Sequence, residues 1–421
     1  MTQALHRVVP LRGTTLLADW LAAFTGLVVS QGLGAIVLIV VARHVTPVEF
    51  SRYLSCYTLT GLLCIFPNYG LETWLLAQGV TTRSELVSLW YGAVRLRLRL
   101  LMLWCAGMIA LSAFLPSDTF PLSILLPTVF GVGCDSLILI SYSALRSVGW
   151  HRYVTVLQSL VVLGLLGVSL VLPFDPDYIV KFSIGRTLVS MSAAVLVTIL
   201  TRAWLGHSSV IPVANLLRTA RAFFLSDLAV TVYLKADLAI VSLALGSSGV
   251  AIYGPALHLV NLSFLVPNAL YLVVMPAQTR VYTETGTFGW IGYIQIVLQA
   301  IVGVILSGAL YWLGQPIVQS VFGSAYETVV LVLGWLFPIP FLKSLNFGLA
   351  LLLTTGQFQW WRATVQTICA IFNVVANLIV VIPLGVTGVS VVYVLSEVVL
   401  LVGYTLGVWQ WWLKKSSHIG R

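Results

Sequence analysis

The stretch TVYLKADLAIVSLALGS, residues 231–247, has the composition of a membrane-crossing helix except for Lys235 and Asp237 near its middle. Two positions apart on a helix of 3.6 residues per turn, their side chains point about 200° away from each other. They cannot simply neutralise one another. The helix therefore offers a cation to one side and an acid to another, and each needs its own partner, a cavity, or a helix end from which to snorkel.

Outward from this helix the chain keeps the same character. Hydrophobic residues make up 59% and charged residues 8%, with a mean hydropathy of +1.01, whereas about a quarter of a soluble domain is charged. A bilayer core about 30 Å thick takes roughly 20 apolar residues per crossing helix. Twelve such runs follow one another, at 16–41, 51–77, 94–115, 121–145, 153–173, 178–203, 221–245, 250–277, 289–314, 328–354, 362–383 and 387–412. The fold predicted is all-α and polytopic, with about twelve transmembrane helices. The gaps are too short for a soluble module. A membrane glycosyltransferase, polymerase or ligase would need one to hold its catalytic groups, so the chain is not expected to be an enzyme.

Basic residues precede a first apolar run that is too long for a signal-peptide core and has no small-residue cleavage site, so the N-terminus is expected to be retained. The five cysteines, Cys56, Cys64, Cys105, Cys134 and Cys369, lack paired spacing, and neither a disulfide nor a metal site is expected. A net charge of +9 could suggest nucleic acid, but the bases are dispersed at helix ends rather than clustered. Topology explains them better. With twelve spans both termini share one side, which collects sixteen Lys or Arg against Arg43, Arg52 and Lys181 on the other. That bias predicts cytoplasmic termini. Arg95, Arg97 and Arg99 are expected at lipid headgroups, and WQWWLKK at 409–415 forms an aromatic belt with a basic anchor.

Three bases, Arg186, Lys235 and Lys343, fall inside predicted spans together with five acids, Glu72, Asp135, Asp227, Asp237 and Glu397. A charge at membrane depth costs at least about 2.5–3.5 kcal/mol, so such residues face a bundle interior or a watery path. Polar stripes accompany them: Ser183, Arg186, Thr187 and Ser190 share one helical face, as do Ser390, Tyr393 and Glu397, and Gln366, Asn373 and Asn377. Such stripes suit either a lumen or helix–helix packing.

Sliding the chain by 200 positions aligns 45–78 with 245–278 without a gap. Tyr53 meets Tyr253, Pro67-Asn68 meets Pro267-Asn268, and Ala77-Gln78 meets Ala277-Gln278. The shift spans six helices, so the two halves have the same orientation, 1–205 carrying helices 1 to 6 and 206–421 helices 7 to 12. Transporters of this design bind substrate near the midplane between halves and rock between two openings. Pro67, Pro267, Pro338 and Pro340 lie inside helices, where each removes a backbone bond and favours a bend. They are the candidate hinges.

The residues also resemble a known family. ARHVTPVEFSRY at 42–53 with NYGLET at 68–73 looks like the first outer loop and second helix of the oligosaccharide flippases of polysaccharide biosynthesis, within the multidrug/oligosaccharidyl-lipid/polysaccharide exporter superfamily. KADLAIVSLALGSSGVAIYGPALHLV at 235–260 resembles the family's seventh helix and the turn into the eighth, with Asp237 on the usual acidic position and Tyr253 on the usual aromatic one. Residues 321–357 and 373–397 resemble helices 10 to 12. Two features depart from the pattern. HVTPVEF stands where a Leu-Gly-Pro sequence is usual, and Leu238 follows the acid where relatives often have a base.

The resemblance implies two six-helix lobes around a central cavity, moving a polyprenyl-diphosphate-linked oligosaccharide across a bacterial cytoplasmic membrane. A diphosphate needs positive charge, which makes Arg52, Arg186, Lys235 and Lys343 the candidate substrate-binding residues. Glu72, Asp237 and Glu397 are candidates for coupling to H+ or Na+, and equally for fixed structural pairs. No other cofactor is implied. A polysaccharide polymerase and chain-length proteins are the partners such a unit would meet. A multidrug or small-cation exporter of the same superfamily is the alternative, and it would expose acids to its cavity.

Overall fold

The computed structural model describes residues 31–81, 85–205 and 213–419. The basic N-terminus, the first half of the first span and Arg83 lie outside the described residues, as do the side chains of Lys414 and Lys415. No strand occurs among the described residues. The described residues form fifteen α-helices: α1 (Gln31–His44), α2 (Pro47–Leu63), α3 (Ile65–Asn68), α4 (Leu71–Thr81), α5 (Leu86–Ser112), α6 (Leu122–Ser147), α7 (His151–Val171), α8 (Tyr178–Leu205), α9 (Val213–Ala244), α10 (Gly246–Ser263), α11 (Leu265–Thr285), α12 (Gly289–Val321), α13 (Val329–Leu336), α14 (Ile339–Thr355) and α15 (Gln359–Ile419).

Seven helical stretches among the described residues are long and apolar enough to cross a membrane, at 122–147, 151–171, 178–205, 246–285, 289–321, 329–355 and 359–413. The last has 55 residues and turns at Gly385, whose φ of 59° leaves the helical region, so it supplies two crossings. The other expected spans are α1, the broken helix α2–α4, α5 with its three arginines, and α9 with Asp227, Lys235 and Asp237. Together they make the twelve-span, all-α architecture.

The interruptions follow the prolines. Helix α2 ends at Cys64, three residues before Pro67, and α10 ends at Phe264, three residues before Pro267. A proline lacks the N–H that would bond back to the preceding turn, so both breaks follow from the same local chemistry. They lie 200 residues apart, the register of the sequence repeat. Their partners meet as well: a Cβ on Gly254 would sit 2.8 Å from Leu54 Cδ1, so repeat-equivalent positions touch where the halves pack. Pro338 and Pro340 mark the third interruption, between α13 and α14.

The apolar core is divided unequally between the two ends of the bundle. One large cluster joins both halves near the 42–50, 113–121, 245–250 and 321–329 connections, through residues such as Phe50, Tyr53, Phe120, Val250, Tyr253 and Tyr326. Near the other end the clusters are separate. One holds α4, α5 and the start of α9, a second holds α6, α7 and α8, and a third joins Tyr233 of α9 to α14 and α15. Polar contacts reinforce the fused end. Arg43 donates from Nε to the Val321 carbonyl at 2.9 Å and from Nη2 to Ser320, neutralising orphan carbonyls at the C-terminus of α12. Tyr326 donates to the Ala42 carbonyl at 3.1 Å.

At the separated end, α9 still crosses onto the first half. Tyr69 (φ 46°) and Gly70 (φ 64°) turn the chain into α4, and Tyr69 stacks on Phe224 at 4.8 Å. A Cβ on Gly70 would lie 2.4 Å from the Phe224 backbone nitrogen, so glycine is needed for both the dihedral and the approach. Gly70→Ala is expected to destabilise the protein by well over the 1–2 kcal/mol that a left-handed backbone alone costs, measured by thermal unfolding in detergent. Gly149→Ala, at φ 86° with open space around it, should lose only the backbone term.

Candidate functional site

Helices α1, α2, α7, α8 and α10 enclose a hollow of about 310 Å³ where the two halves face each other. Its polar lining includes Tyr57, Arg186, His258 and Asn261. Arg186 is buried on α8, and two contacts fix its guanidinium. Nη2 donates to Asp135 Oδ2 at 2.5 Å, the planar group lies over the Tyr57 ring at 4.8 Å, and Tyr57 is itself stacked on Tyr53 at 6.0 Å. Nη1 has no hydrogen-bond partner among the described residues. That nitrogen packs against α6, where a Cβ on Gly131 would be 2.8 Å away, while the side chain as a whole lines the hollow. A buried, unmade hydrogen bond of this kind costs about 1–3 kcal/mol, more for a charge.

Lys235 is half-buried and points from α9 toward α2, where a Cβ on Gly61 would be 3.0 Å from its Nζ. It makes no hydrogen bond or ion pair with a described residue. Asp237 faces the other way. Its carboxylate accepts from Tyr253 Oη and from the Leu238 amide, both at 2.7 Å, inside the second half. The opposed directions expected from the helical spacing are what the structure shows: Lys235 addresses the other half and Asp237 its own.

The remaining candidates lie apart from this hollow. Lys343 donates to Glu397 at 2.7 Å and to Tyr233 Oη at 3.0 Å, while Asn346 donates to the other Glu397 oxygen at 2.8 Å and Tyr233 to the carboxylate as well. This cluster ties α9, α14 and α15 within the second half. Lys343 and Asn346 of this cluster also line a second hollow of about 300 Å³, together with Asn268, Arg362 and Gln366. Arg52 donates to the Asp118 carbonyl at 2.9 Å and pins the α5–α6 connection. The structure therefore does not gather the four bases into one phosphate site. Arg186 and Lys235 stand at the junction of the halves, and Arg52 and Lys343 do not.

One expectation is corrected, and one open alternative is narrowed. Arg97 does not reach lipid headgroups: it is fully buried, donating to Glu72 at 2.9 Å, to Ser136 and to the Asn68 carbonyl at 2.9 Å, while Arg95 and Arg99 are exposed. Three arginines at alternate positions cannot share a face of a helix, so the middle one turned inward. Glu72 is accordingly its partner, beside a hollow of about 190 Å³ with Asn68 and Asp227. The polar stripes mostly pack helices rather than line a lumen. Thr187 donates to the Pro127 carbonyl, Asn373 to Ser396 and Asn377 to Asn373.

Sequence reasoning also passed over His258 and Asn261. His258 is the one histidine inside the predicted spans, and a criterion based on formal charge does not count an imidazole. Asn261 had no signal beyond being polar.

The profile of the family described as "Polysaccharide biosynthesis protein" matches residues 16–286, well over half of the chain. The chain belongs to this family. No curated protein matches it by sequence. Among solved structures, it is similar to an inward-facing multidrug resistance MATE family transporter of the MOP superfamily, with a TM-score of 0.74 at 12% identity over 94% of this chain and 99% of that one. It is similar also to the lipid II flippase MurJ in an inward closed conformation, with a TM-score of 0.76 at 13% identity over 93% and 87%. An outward-facing MATE structure gives 0.67 at 13% identity over 94% and 96%. At these identities the likeness establishes the fold, that of a multi-pass membrane transporter superfamily.

Within this family member, the Lys343–Glu397 pair is expected to act on stability. Lys343→Met leaves a buried carboxylate uncompensated and should cost about 3–5 kcal/mol. Adding Glu397→Leu should recover most of that loss, as read by thermal unfolding in detergent.

Proposed function

We propose that the protein is a flippase that carries a polyprenyl-diphosphate-linked oligosaccharide from the inner to the outer leaflet of a bacterial cytoplasmic membrane by alternating access. The observation that carries this is Arg186, a buried arginine whose side chain lines a hollow between the two halves. A diphosphate is the part of such a substrate that needs a cation in a low-dielectric site, and arginine offers it planar, paired donors. Lys235 adds a second, unpaired charge at the same junction. The hollow is at the lower end of the 300–1,000 Å³ usual for ligand sites. It suits the phosphates, and the sugars would require the halves to part further.

In this reading the lobes are 1–205 and 206–421, and the end fused through Arg43, Tyr326 and the large apolar cluster faces outward. The positive-inside bias supports that orientation, since Arg43, Arg52 and Lys181 all lie toward the fused end. Both termini are then cytoplasmic and the site opens inward. Pro67, Pro267, Pro338 and Pro340, each at or beside a helix interruption, are the proposed bending points. Asp237 and Glu397 are buried carboxylates that an H+ or Na+ gradient would have to reach, and Glu72, partly exposed beside a small hollow, is the third candidate. Export rather than catalysis is the activity, and a polymerase with its chain-length proteins would receive the product.

A multidrug exporter of the same superfamily would need an acid to meet a cationic drug. Among the described residues, the formally charged side chain lining the hollow between the halves is Arg186. The flippase reading is therefore preferred.

Reconstituted vesicles carrying a fluorescent lipid-linked sugar test it. Arg186→Gln and Lys235→Gln should each slow translocation at least tenfold with membrane insertion intact. Lys343→Gln should act instead by lowering the amount of folded protein. Wild-type rates in both Arg186→Gln and Lys235→Gln would refute the assignment.

A further inference from the structure

We infer that His258 and Asn261 on α10 are the second lobe's ligands for the substrate phosphate, so that a phosphate held between them and Arg186 bridges the two lobes. The inference deepens the proposed flippase function and rests on it.

The hollow is built from both halves. Arg186 belongs to α8, while His258, Asn261, Leu262 and Leu265 come from α10 and the start of α11. Their spacing of three, four and seven residues places them along one helical face. That face therefore turns toward the hollow for two full turns. Within an otherwise apolar stripe it carries an imidazole and an amide.

Neither group is used by the fold. His258 Nε2 is shielded from solvent and has no hydrogen-bond partner among the described residues. Asn261 is exposed at the hollow and makes no hydrogen bond with a described residue. Other amides inside the bundle donate to a neighbouring helix: Asn346 holds Glu397, Asn373 holds Ser396, and Gln299 donates to the Pro267 carbonyl at 3.0 Å. An unmade hydrogen bond in a buried setting is unfavourable, so the one at His258, a turn away from Asn261 on a face that shares the hollow with Arg186, points to a missing partner.

The chemistry of the three groups selects the ligand. The Arg186 guanidinium and the Asn261 amide are donors, and an imidazole presents an N–H in either tautomer. Among the described residues no carboxylate lines the hollow, and Asp135 is engaged with Arg186. The common acceptor for such a set is a phosphoryl oxygen. Arg186 is anchored in the first lobe through Asp135 and Tyr57, and His258 and Asn261 are carried by the second. A phosphate touching both would hold the lobes together, and their separation would release it. Substrate binding is in this way linked to the rocking motion, because a ligand shifts a conformational equilibrium only through contacts that differ between the states.

The test uses the full chain in nanodiscs, with farnesyl diphosphate and inorganic pyrophosphate as probes. Binding is followed by calorimetry, and lobe separation by spin labels placed on the two lobes at the unfused end. Wild-type protein should bind farnesyl diphosphate with a change in inter-lobe distance. His258→Leu and Asn261→Leu should each weaken binding about tenfold and abolish the distance change, and His258→Gln, which keeps a donor, should retain binding to within about threefold. Asn261 is exposed, so its leucine variant remains informative if His258→Leu does not fold. Weak binding in Arg186→Gln with wild-type binding and distance change in the His258 and Asn261 variants would overturn the bridge and leave the flippase reading standing. Wild-type binding in Arg186→Gln as well would overturn both. An equal response to pyrophosphate and to farnesyl diphosphate would support the phosphate bridge and overturn its assignment to a lipid-linked ligand.

Discussion

A charge held at membrane depth must find a counter-charge or water, and this requirement organises the interior of the protein. Arg97 with Glu72, Arg186 with Asp135, and Lys343 with Glu397 each join helices that are distant in sequence. In hydrocarbon, apolar contact between helices gives little net drive for association, so such polar links and close packing carry much of the specificity. The pairs differ in what they leave over. Glu397 is held through both oxygens and Arg97 through both terminal nitrogens, whereas Arg186 uses one of its two and Lys235 has no described partner. Function is read from that remainder.

The division of the apolar core gives the charge arrangement a direction. Both halves share one large cluster at the end where Arg43 caps the carbonyls of α12, and they are packed separately at the other. At the separated end α9 crosses to the first half, with Phe224 against Tyr69 and Gly70. A bundle fused at one end and parted at the other fits one state of the proposed rocking motion. The hollow lined by Arg186 lies between the two halves. The Lys343–Glu397 cluster lies within one of them, where it stiffens a lobe without reporting on its partner.

Much of the architecture was legible in the sequence. The helical content, the run of spans, the repeat at 200 positions and the opposed directions of Lys235 and Asp237 all follow from the length and periodicity of apolar runs, which are local properties. The breaks at Cys64 and Phe264 were signalled by the prolines that follow them. Family membership was visible too, because it rests on the order of short motifs. The individual site residues were less accessible. Arg97 was expected at the surface, Lys343 beside the substrate, and His258 was passed over.

What separates these cases is whether the relevant distance is measured along the chain or through space. Hydrophobicity every few residues decides that a segment is a transmembrane helix, whatever lies beside it. Which face of that helix meets a carboxylate, and which meets a hollow, depends on rotations of about 100° per residue and on helices more than fifty positions away, as for Arg186 and Asp135. The sequence by itself determined that charges are placed in the membrane and roughly where. Only the tertiary structure decided which of them are spent on holding helices together and which remain free, because pairing inside a bilayer is settled by contact between segments that no local pattern records.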